Sequence, residues 1–266
     1  METLANSLKC IGGILGDILG SPYEFHGTKD YNFKFRPDVE NYTDDSVCTV
    51  ATMDAVLNHK KFDECYRLWG NTHFNVGYGP AFRQWLVHDQ VGPYNSFGNG
   101  SGMRVSPVGW FYHTLEETLE MAKRSAEVTH NHPEGIIGAQ CIAGCVYLAR
   151  TCQDKDKIRE FCRPYYGELR KLEEFKDSYK FEVSCQRSVP EAIECFLEGD
   201  SYEDVVRKAI SLGGDADTQA CMAGSIAEAY GYNVSDEILE RLELLDGNML
   251  KMLYDFNVAL QNKGIL

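Results

Sequence analysis

Apolar residues recur at steps of three and four along most of this 266-residue chain. Near the start, this spacing is kept by Leu8, Ile11, Leu15, Ile18 and Leu19. Such a spacing places apolar side chains on one face of an α-helix, whereas few segments alternate with the period of two that predicts a β-strand. The pattern therefore predicts an all-α fold, a compact helical bundle with irregular loops, formed by residues 1–266 as a single domain.

The first helical segment is unusually rich in glycine. Its four glycines are Gly12, Gly13, Gly16 and Gly20. Each of them weakens a helix relative to alanine, so their number suggests that another backbone or a ligand approaches closely. A dinucleotide-binding glycine loop is a weak alternative, because no β-branched strand precedes the segment and the spacing is not GxGxxG.

Several later segments predict further helices. Residues 136–150 are rich in alanine, glycine and apolar side chains and predict a central helix, while amphipathic patterns predict helices over 115–126 and 249–260. Pro190 is typical of a helix start. Charges of both signs crowd residues 154–180, which indicates solvated helix faces.

The charge balance excludes some classes of partner. With 26 basic and 40 acidic residues the formal net charge is −14, which argues against a nucleic-acid groove or an anionic membrane surface. No run approaches the roughly twenty apolar residues of a membrane span, so no membrane partner is expected.

Cysteine usage indicates the compartment. The ten cysteines form no CxxC pair, and the N-terminal residues 1–4 lack the features of a signal peptide, so we expect a cytoplasmic protein in a reducing environment. Cys141, Cys145 and Cys221 lie among apolar or small residues, which favours a role as small buried side chains.

Two short acidic clusters stand at predicted helix starts, one near each end of the chain. The first begins at Thr43 and the second follows the pair Gly213-Gly214. Helix capping alone would explain either cluster, with Thr43 as one N-cap and Asp215 or Asp217 as the other. Residues two apart lie about 200° around a helix, so two such carboxylates can converge on one point only where a helix begins.

The two clusters together offer six hard oxygen donors. They are Thr43, Asp44, Asp45, Asp215, Asp217 and Thr218. Such donors suit Mg²⁺, Mn²⁺ or Ca²⁺ better than zinc. The positive end of a helix dipole opposes a cation, so several ionised acids would have to outweigh it.

Two loops offer further polar groups. The glycine-rich loop 98–104 permits its amides to approach a phosphate, although it lacks the GK[ST] ending of a P-loop, and a flexible turn is the alternative. His130 and His132 have no third ligand at a spacing useful for zinc, which favours substrate contact or hydrogen bonding within the loop.

Five sequence blocks, in chain order, carry a family resemblance. They are Gly12-Gly13-Ile14-Leu15-Gly16-Asp17, Thr43-Asp44-Asp45-Ser46, Gly98-Asn99-Gly100-Ser101-Gly102-Met103-Arg104, Thr129-His130-Asn131-His132-Pro133 and Gly213-Gly214-Asp215-Ala216-Asp217-Thr218. This set, which spans about residues 10–230, resembles the ADP-ribosylglycohydrolase family, whose members include the dinitrogenase reductase-activating glycohydrolases.

The resemblance implies an enzyme with an all-α fold and two Mg²⁺ or Mn²⁺ ions. Such an enzyme hydrolyses the glycosidic bond at the distal ribose of ADP-ribose. The implied metal ligands are the six oxygen-donor residues of the acidic clusters. The implied catalytic residues are Glu24, Asp44 and Asp217, with Glu24 or a metal-bound aspartate as general base. The implied substrate-binding residues are Asn99, Gly100, Ser101, Gly102, Met103 and Arg104 at the diphosphate, and His130 and His132 at ribose or phosphate.

The implied partner is an ADP-ribosylated protein, with arginine as the favoured acceptor, or a small ADP-ribose conjugate. Two other hypotheses stay open on the residues alone. The chain could be a non-catalytic ADP-ribose-binding or structural relative, because capping explains each acidic cluster separately, or another metal-dependent hydrolase that acts on phosphoesters.

Overall fold

A computed structural model describes residues 8–266 of the protein. Within this range the chain is helical and has no β-strand; one isolated antiparallel bridge joins Gly98 to Ser184. The prediction of an all-α fold is confirmed. Residues 1–4, on which the expectation about a signal peptide depends, lie outside the described range.

The helices and their bounds are, in chain order, α1 (Gly12–Gly20), α2 (Asp44–Leu57), α3 (Phe62–Thr72), α4 (Pro80–Val87), α5 (Gly100–Met103), α6 (Ser106–Phe111), α7 (Leu115–Glu127), α8 (Pro133–Cys152), α9 (Lys155–Tyr166), α10 (Leu172–Phe175), α11 (Cys185–Leu197), α12 (Tyr202–Ile210), α13 (Ala216–Ala229), α14 (Asp236–Leu239) and α15 (Gly247–Asn262). Two 3-10 turns, Ser21–Tyr23 and Glu240–Leu244, follow α1 and α14. The helices predicted over 115–126, 136–150 and 249–260 correspond to α7, α8 and α15.

The sequence prediction differs from the structure at two places. Pro190 lies inside α11 and not at its start, because the helix begins five residues earlier, where the amide of Cys185 donates to Phe97 O at 2.8 Å. The glycine-rich loop 98–104 contains the short helix α5, in which the amides of residues 102 and 103 both donate to the carbonyl of Asn99.

Helix α13 is the centre of the molecule. All fourteen of its residues are buried, and it packs against α1, α8, α11 and α12. Helix α1 is buried along its whole length as well. A single hydrophobic core runs through these elements. The acidic cluster at the start of α13 therefore stands on the most enclosed helix of the protein.

The glycines of α1 allow two backbones to touch. A Cβ atom at Gly16 would lie 2.2 Å from Ala220 O, and one at Gly20 would lie 2.5 Å from the Cα of Asp217. No side chain fits into these gaps, since such distances fall far inside van der Waals contact. The close approach expected from the sequence is made by the backbone of α13. As a result, α1 lies against the first turn of α13, where Asp217 stands.

Helix α8 corrects the expectation about membrane-length segments. It is long and apolar enough, by length and composition, to cross a membrane, with a mean hydropathy of 1.3. However, 56% of that stretch is buried inside the protein, and α8 packs against α7, α9, α11 and α13. Its alanines and glycines are small, which allows neighbouring helices to pack closely, as a central helix requires.

Candidate metal centre and active site

The two acidic clusters meet at a cavity of about 380 Å³. Thr218 at the start of α13 donates a hydrogen bond from Oγ1 to Asp45 Oδ2 at the start of α2, over 3.2 Å. These two residues are 173 positions apart in sequence. The acidic residues that line the cavity are Glu24, Asp44, Asp45, Asp215 and Asp217.

The acids form two groups that could each hold a cation. Asp17, Asp45 and Asp217 each offer an oxygen, and these atoms lie within 4.8 Å of one another. Glu24, Asp215 and Asp217 form a second group by the same measure. Because Asp217 belongs to both groups, the two candidate positions are adjacent.

At the start of α13 Asp217 Oδ1 accepts from the first-turn amide of Thr218 at 2.9 Å, but Asp215 does not cap the helix. Asp215 occupies the N-cap position, but its carboxylate accepts no hydrogen bond from the amides of the helix. Instead its Oδ2 accepts from Asn99 Nδ2 at 2.7 Å. A side chain present only for capping would turn back to the free N–H groups of the first turn. Asp215 is thus held towards the cavity by a residue of the glycine-rich loop.

The start of α2 is capped as the sequence predicts, with one addition. Thr43 is the N-cap residue and accepts from Asp45 N at 3.4 Å. Thr43 does not belong to the cavity lining. Its Oγ1 donates to Asp17 Oδ1 at 2.7 Å. Asp17 Oδ2 accepts from the amides of Thr43 and Ser46, at 2.9 and 3.0 Å, and from Ser46 Oγ.

Asp17 is a site residue that the sequence prediction missed. It is fully buried on α1, and its two oxygens fix the start of α2, so it sets the position of Asp44 and Asp45. The available signal was a single acid in the apolar run of α1. A buried charge needs a partner, so such a residue predicts a polar contact, although it does not predict which one.

Burial and mutual repulsion raise the pKa values of the acids. Burial is the largest cause for each of them. It raises the pKa of Asp17 to about 6 and that of Glu24 to about 7, with neighbouring carboxylates adding to the shift of Glu24. The pKa values of Asp44, Asp45 and Asp217 lie well above the usual range, and that of Asp215 is also raised.

The donor set fits a divalent cation. Asp45 Oδ1 is buried and has no hydrogen-bond partner within residues 8–266. Leaving a buried carboxylate oxygen unpaired is unfavourable, and several carboxylates in one enclosed site repel one another. A cation would pair with the free carboxylate oxygen and offset the repulsion between the carboxylates. All the donors are oxygens, which Mg²⁺, Mn²⁺ and Ca²⁺ prefer.

The glycine-rich loop contributes only part of the predicted substrate contacts. Asn99, Gly100 and Met103 line the cavity, whereas Ser101 and Gly102 do not. Ser101 Oγ donates to Gly135 O at 2.7 Å and so fastens α5 to α8. The amide of Asn99 is already donated to Val183 O at 2.7 Å.

Arg104 differs most from its predicted role at a diphosphate. Although part of Arg104 lines the cavity, its side chain is fully buried. Its Nη2 donates to Ser125 O and to Thr129 Oγ1, at 2.9 and 2.8 Å, and the guanidinium lies over the ring of Tyr66. In this position the guanidinium supports the cavity wall from behind.

The two histidines have different environments. His130 lines the cavity, and its Nδ1 lies 2.7 Å from Thr129 Oγ1. Since that hydroxyl accepts from Arg104, its own hydrogen can go to Nδ1, which leaves Nε2 as the N–H donor. Burial holds the pKa of His130 well below its usual range, so the ring is neutral. His132 lies outside the cavity lining and caps α8 by accepting from Glu134 N at 3.1 Å.

Exposed aromatic side chains stand at the cavity mouth. Phe181 lines the cavity with half of its surface exposed, and Phe25 stacks on it with ring centroids 6.2 Å apart. Val183 and Tyr94 complete this apolar part of the wall. None of these residues was predicted, because no local pattern marks a side chain that becomes part of a site only through the fold.

Comparison with known proteins identifies similar sequences and folds. The sequence model of the ADP-ribosylglycohydrolase family matches residues 8–260. The chain is 28% identical to the human protein "ADP-ribosylhydrolase ARH3", with 86% of each chain covered, and 26% identical to "ADP-ribosylarginine hydrolase Tri1" of Pseudomonas putida, with 85% of this chain and 70% of that one covered. A solved "ADP-ribosylglycohydrolase-related protein complex" superposes with a TM-score of 0.75 at 20% identity, covering 97% of this chain and 96% of that one.

Proposed function

The chain belongs to the ADP-ribosylglycohydrolase family, and on that premise we propose that it is a metal-dependent hydrolase that cleaves the glycosidic bond between ADP-ribose and an acceptor. The observation that carries the proposal is the meeting of the two acidic clusters at one cavity, with Asp45 Oδ1 buried and unpaired. The two similar proteins from human and Pseudomonas putida are both named as ADP-ribosyl hydrolases, which supports the reaction class.

The proposed ligands of two Mg²⁺ or Mn²⁺ ions are Thr43, Asp44, Asp45, Asp215, Asp217 and Thr218. The two adjacent carboxylate groups that share Asp217 support a pair of ions. The Thr43 hydroxyl donates its hydrogen to Asp17 and accepts from Asp45 N, which leaves one oxygen lone pair for a cation. When bound, such ions supply a template for the ribose diol and acidify a water molecule for attack on the anomeric carbon.

Glu24 is the residue best suited to accept the proton of that water. It lines the cavity beside Asp215 and Asp217, and burial raises its pKa to about 7, close to the value at which a general base works best near neutral pH. It follows the 3-10 turn after α1, outside the helices that hold the other acids. Asp44 and Asp217 would act through the metal ions.

The remaining cavity wall supports recognition of the ADP-ribosyl group. The neutral ring of His130 can donate from Nε2 to a ribose or phosphate oxygen. Asn99 orients Asp215, and Gly100 leaves room beside the imidazole, since a Cβ there would lie 3.1 Å from His130 Nε2.

Arginine is the acceptor that we favour. This choice rests on the similarity to the Pseudomonas putida protein, which is named as an ADP-ribosylarginine hydrolase. The partner would be an ADP-ribosylated protein or a small ADP-ribose conjugate. We further propose a cytoplasmic location, which the ten free cysteines support.

The decisive experiment measures ADP-ribose release from ADP-ribosylated arginine, ADP-ribosylated serine and O-acetyl-ADP-ribose, with Mg²⁺ or Mn²⁺ and with EDTA. We expect metal-dependent release that falls by roughly 100-fold or more in Asp217→Ala, since even residues around metal ligands matter by 10- to 100-fold. Asp236→Ala is the matched control, because this exposed acid also stands in the first turn of a helix but lies outside the cavity.

Three outcomes would contradict the proposal in different ways. Binding of ADP-ribose in calorimetry without turnover of any substrate would indicate a non-catalytic relative. Release of inorganic phosphate in place of ADP-ribose would indicate a phosphoester hydrolase. Turnover that persists in EDTA and in Asp217→Ala would exclude the metal-dependent mechanism.

A further inference from the structure

Three cysteine side chains face one another between α8 and α9. Cys162 Sγ on α9 lies 3.5 Å from Cys145 Sγ and 3.7 Å from Cys141 Sγ on α8. Cys141 and Cys145 are four residues apart, so they project from the same face of their helix. All three side chains are fully buried. We call this group the thiol cluster.

The thiol cluster differs from two other buried cysteines, Cys185 and Cys221. Cys185 donates from Sγ to Gly98 O at 3.0 Å, and Cys221 donates to Met103 O at 3.2 Å, so each has an oxygen partner. The three thiols of the cluster have hydrogen-bond geometry only with one another in the part of the chain that the structure describes. In the same range, theirs is the one group of three potential metal ligands that contains sulfur.

The spacing of the three sulfurs suits coordination of a single ion. Metal–thiolate bonds are about 2.3 Å long, so three sulfurs around one ion lie about 4 Å apart. The two measured separations, 3.5 and 3.7 Å, are shorter than this by only a few tenths of an ångström. Small changes in side-chain rotation would reach the required geometry without moving either helix.

We propose that Cys141, Cys145 and Cys162 form a binding site for a thiophilic metal ion, with monovalent copper as the ion that fits best. Thiolate ligands select copper(I) and zinc over the hard cations that suit the carboxylate site. Structural zinc sites have four protein ligands, whereas this enclosed cluster offers three. A three-coordinate ion matches that number.

Metal loading of the thiol cluster would be coupled to proton release. Thiolates and not thiols bind metals, so loading releases up to three protons and involves no change of oxidation state. Arg159 of α9 is paired with Glu194 of α11 at 2.8 and 3.0 Å, so its positive charge is already compensated.

The site would fasten α9 to the centre of the molecule. Helix α9 carries the cluster residue Cys162 and, on the same side, the buried Ile158, while most of its remaining surface is polar and partly exposed. A metal ion joining it to α8 would stabilise this contact. The proposed site is separate from the acidic cavity, so it does not depend on the proposed hydrolase activity.

The experiment uses the full-length protein, reduced and free of metal, under anaerobic conditions. Copper(I) is supplied as its acetonitrile complex in competition with a chromophoric chelator. We expect one ion per chain to resist the chelator, with a sulfur shell of three in X-ray absorption spectra. Cys162→Ala is expected to weaken binding by more than about 100-fold, because it removes a ligand outright.

Two matched variants establish whether binding is specific to the thiol cluster. Cys195→Ala removes a fully buried cysteine on α11 outside the cluster, and Cys152→Ala removes the exposed cysteine of α8. Both should bind copper(I) as the unsubstituted protein does. Far-ultraviolet circular dichroism of each metal-free variant tests whether it is folded. If Cys162→Ala does not fold, Cys141→Ser serves as the ligand variant.

Four results would overturn the inference. These are no chelator-resistant copper(I), retention of the ion in folded Cys162→Ala, equal loss in Cys152→Ala, and a spectrum dominated by oxygen or nitrogen ligands. Tight binding of zinc but not copper(I) by the same three residues would overturn the choice of ion.

Discussion

Asp17 shows how much of the site depends on one side chain outside the cavity wall. Its carboxylate accepts from both the backbone and the hydroxyl of Thr43, and likewise from Ser46. It thereby connects α1 to the first turn of α2, whose acids point at the proposed ions. A residue with this role acts by positioning and does not have to contact the substrate.

We expect Asp17→Ala to lower both stability and metal affinity. The variant leaves buried donors unpaired, which costs about 1–3 kcal/mol, and it frees Thr43 and Asp45 to shift. Urea unfolding and Mn²⁺ titration calorimetry measure the two effects. Asp154→Ala is the control, because Asp154 caps α9 and lies outside the cavity. It should lose about 1 kcal/mol and bind Mn²⁺ unchanged; equal Mn²⁺ affinity in both variants would refute the positioning role.

Glu228 is a second buried acid with a helix-capping role. Its Oε2 accepts from the amides of Ile11 and Gly12, at 3.0 and 2.7 Å, near the start of α1. Burial raises its pKa from 4.5 to about 7 in spite of these bonds. Because the folded state holds the proton more tightly than the unfolded state, its contribution to stability is complete below about pH 4.5 and is lost as the pH rises through 7.

Replacing Glu228 by glutamine should therefore flatten part of the pH dependence. We expect the variant to gain stability over the original protein by on the order of 3 kcal/mol between pH 4.5 and pH 8, since one pKa unit corresponds to about 1.4 kcal/mol. Chemical unfolding at the two pH values measures the change. A stability difference that is the same at both pH values would show that folding does not raise the pKa of this carboxyl.

At the scale of residues, the sequence predicted which acids offer oxygen donors better than it predicted which residues they contact. Asp45, Asp215 and Asp217 were identified because acids at helix starts can converge. Their meeting with Glu24 depends on chain segments far apart in sequence, which no local pattern encodes. The family resemblance implied that Arg104 binds a phosphate, whereas its planar guanidinium lies between Thr129 and Tyr66.

At the scale of elements, the contact between α1 and α13 sets the geometry of the site. The glycines indicated a close neighbour, and the structure shows it to be backbone. The sequence could not identify that neighbour as α13, because a glycine leaves room for any backbone and no sequence pattern marks which helix will fill it. Pro190 illustrates a different limit: proline favours a first turn, but contacts around Phe97 start α11 earlier.

Gly16→Ala tests this contact directly. The added Cβ would lie 2.2 Å from a carbonyl oxygen of α13, so the two helices must move apart, at a cost of about 1–3 kcal/mol or more. We expect reduced stability and reduced activity together, measured by thermal unfolding and ADP-ribose release. Gly247→Ala is the matched control in a helix start with open space around it, and it should be neutral or slightly stabilising. An unchanged melting temperature in Gly16→Ala would contradict the backbone contact.

At the scale of the whole molecule, the protein is acidic and concentrates several of its carboxylates in one enclosed site. The net charge of −14 is unfavourable for an anionic ligand unless something local offsets it. The raised pKa values of the cavity acids show that the folded chain alone does not provide enough compensation. Bound cations would provide it and would stabilise the fold at the same time.

Metal removal should therefore destabilise the protein. Mn²⁺ at 100 times its dissociation constant is expected to add about 2.7 kcal/mol to the free energy of unfolding, and EDTA should reverse the gain. Asp217→Asn should abolish this increase and, without metal, be more stable than the original protein, because it removes a buried carboxylate from a repulsive group. Differential scanning fluorimetry follows both effects, with Asp236→Asn as the exposed control. An equal Mn²⁺ response in Asp217→Asn would rule out its role as a shared ligand.

The backbone contact between α1 and α13 also separates two parts of the cavity: an inner wall where side chains are tightly constrained, and a mouth where they are not. A side chain at position 16 or 20 would force α1 away from α13, so these two positions constrain the inner wall of the cavity. Phe25, Phe181 and Val183 stand at the mouth, where exposed side chains can be exchanged freely. Substitutions at the mouth are therefore expected to change what enters the cavity without disturbing the helix contact beneath it.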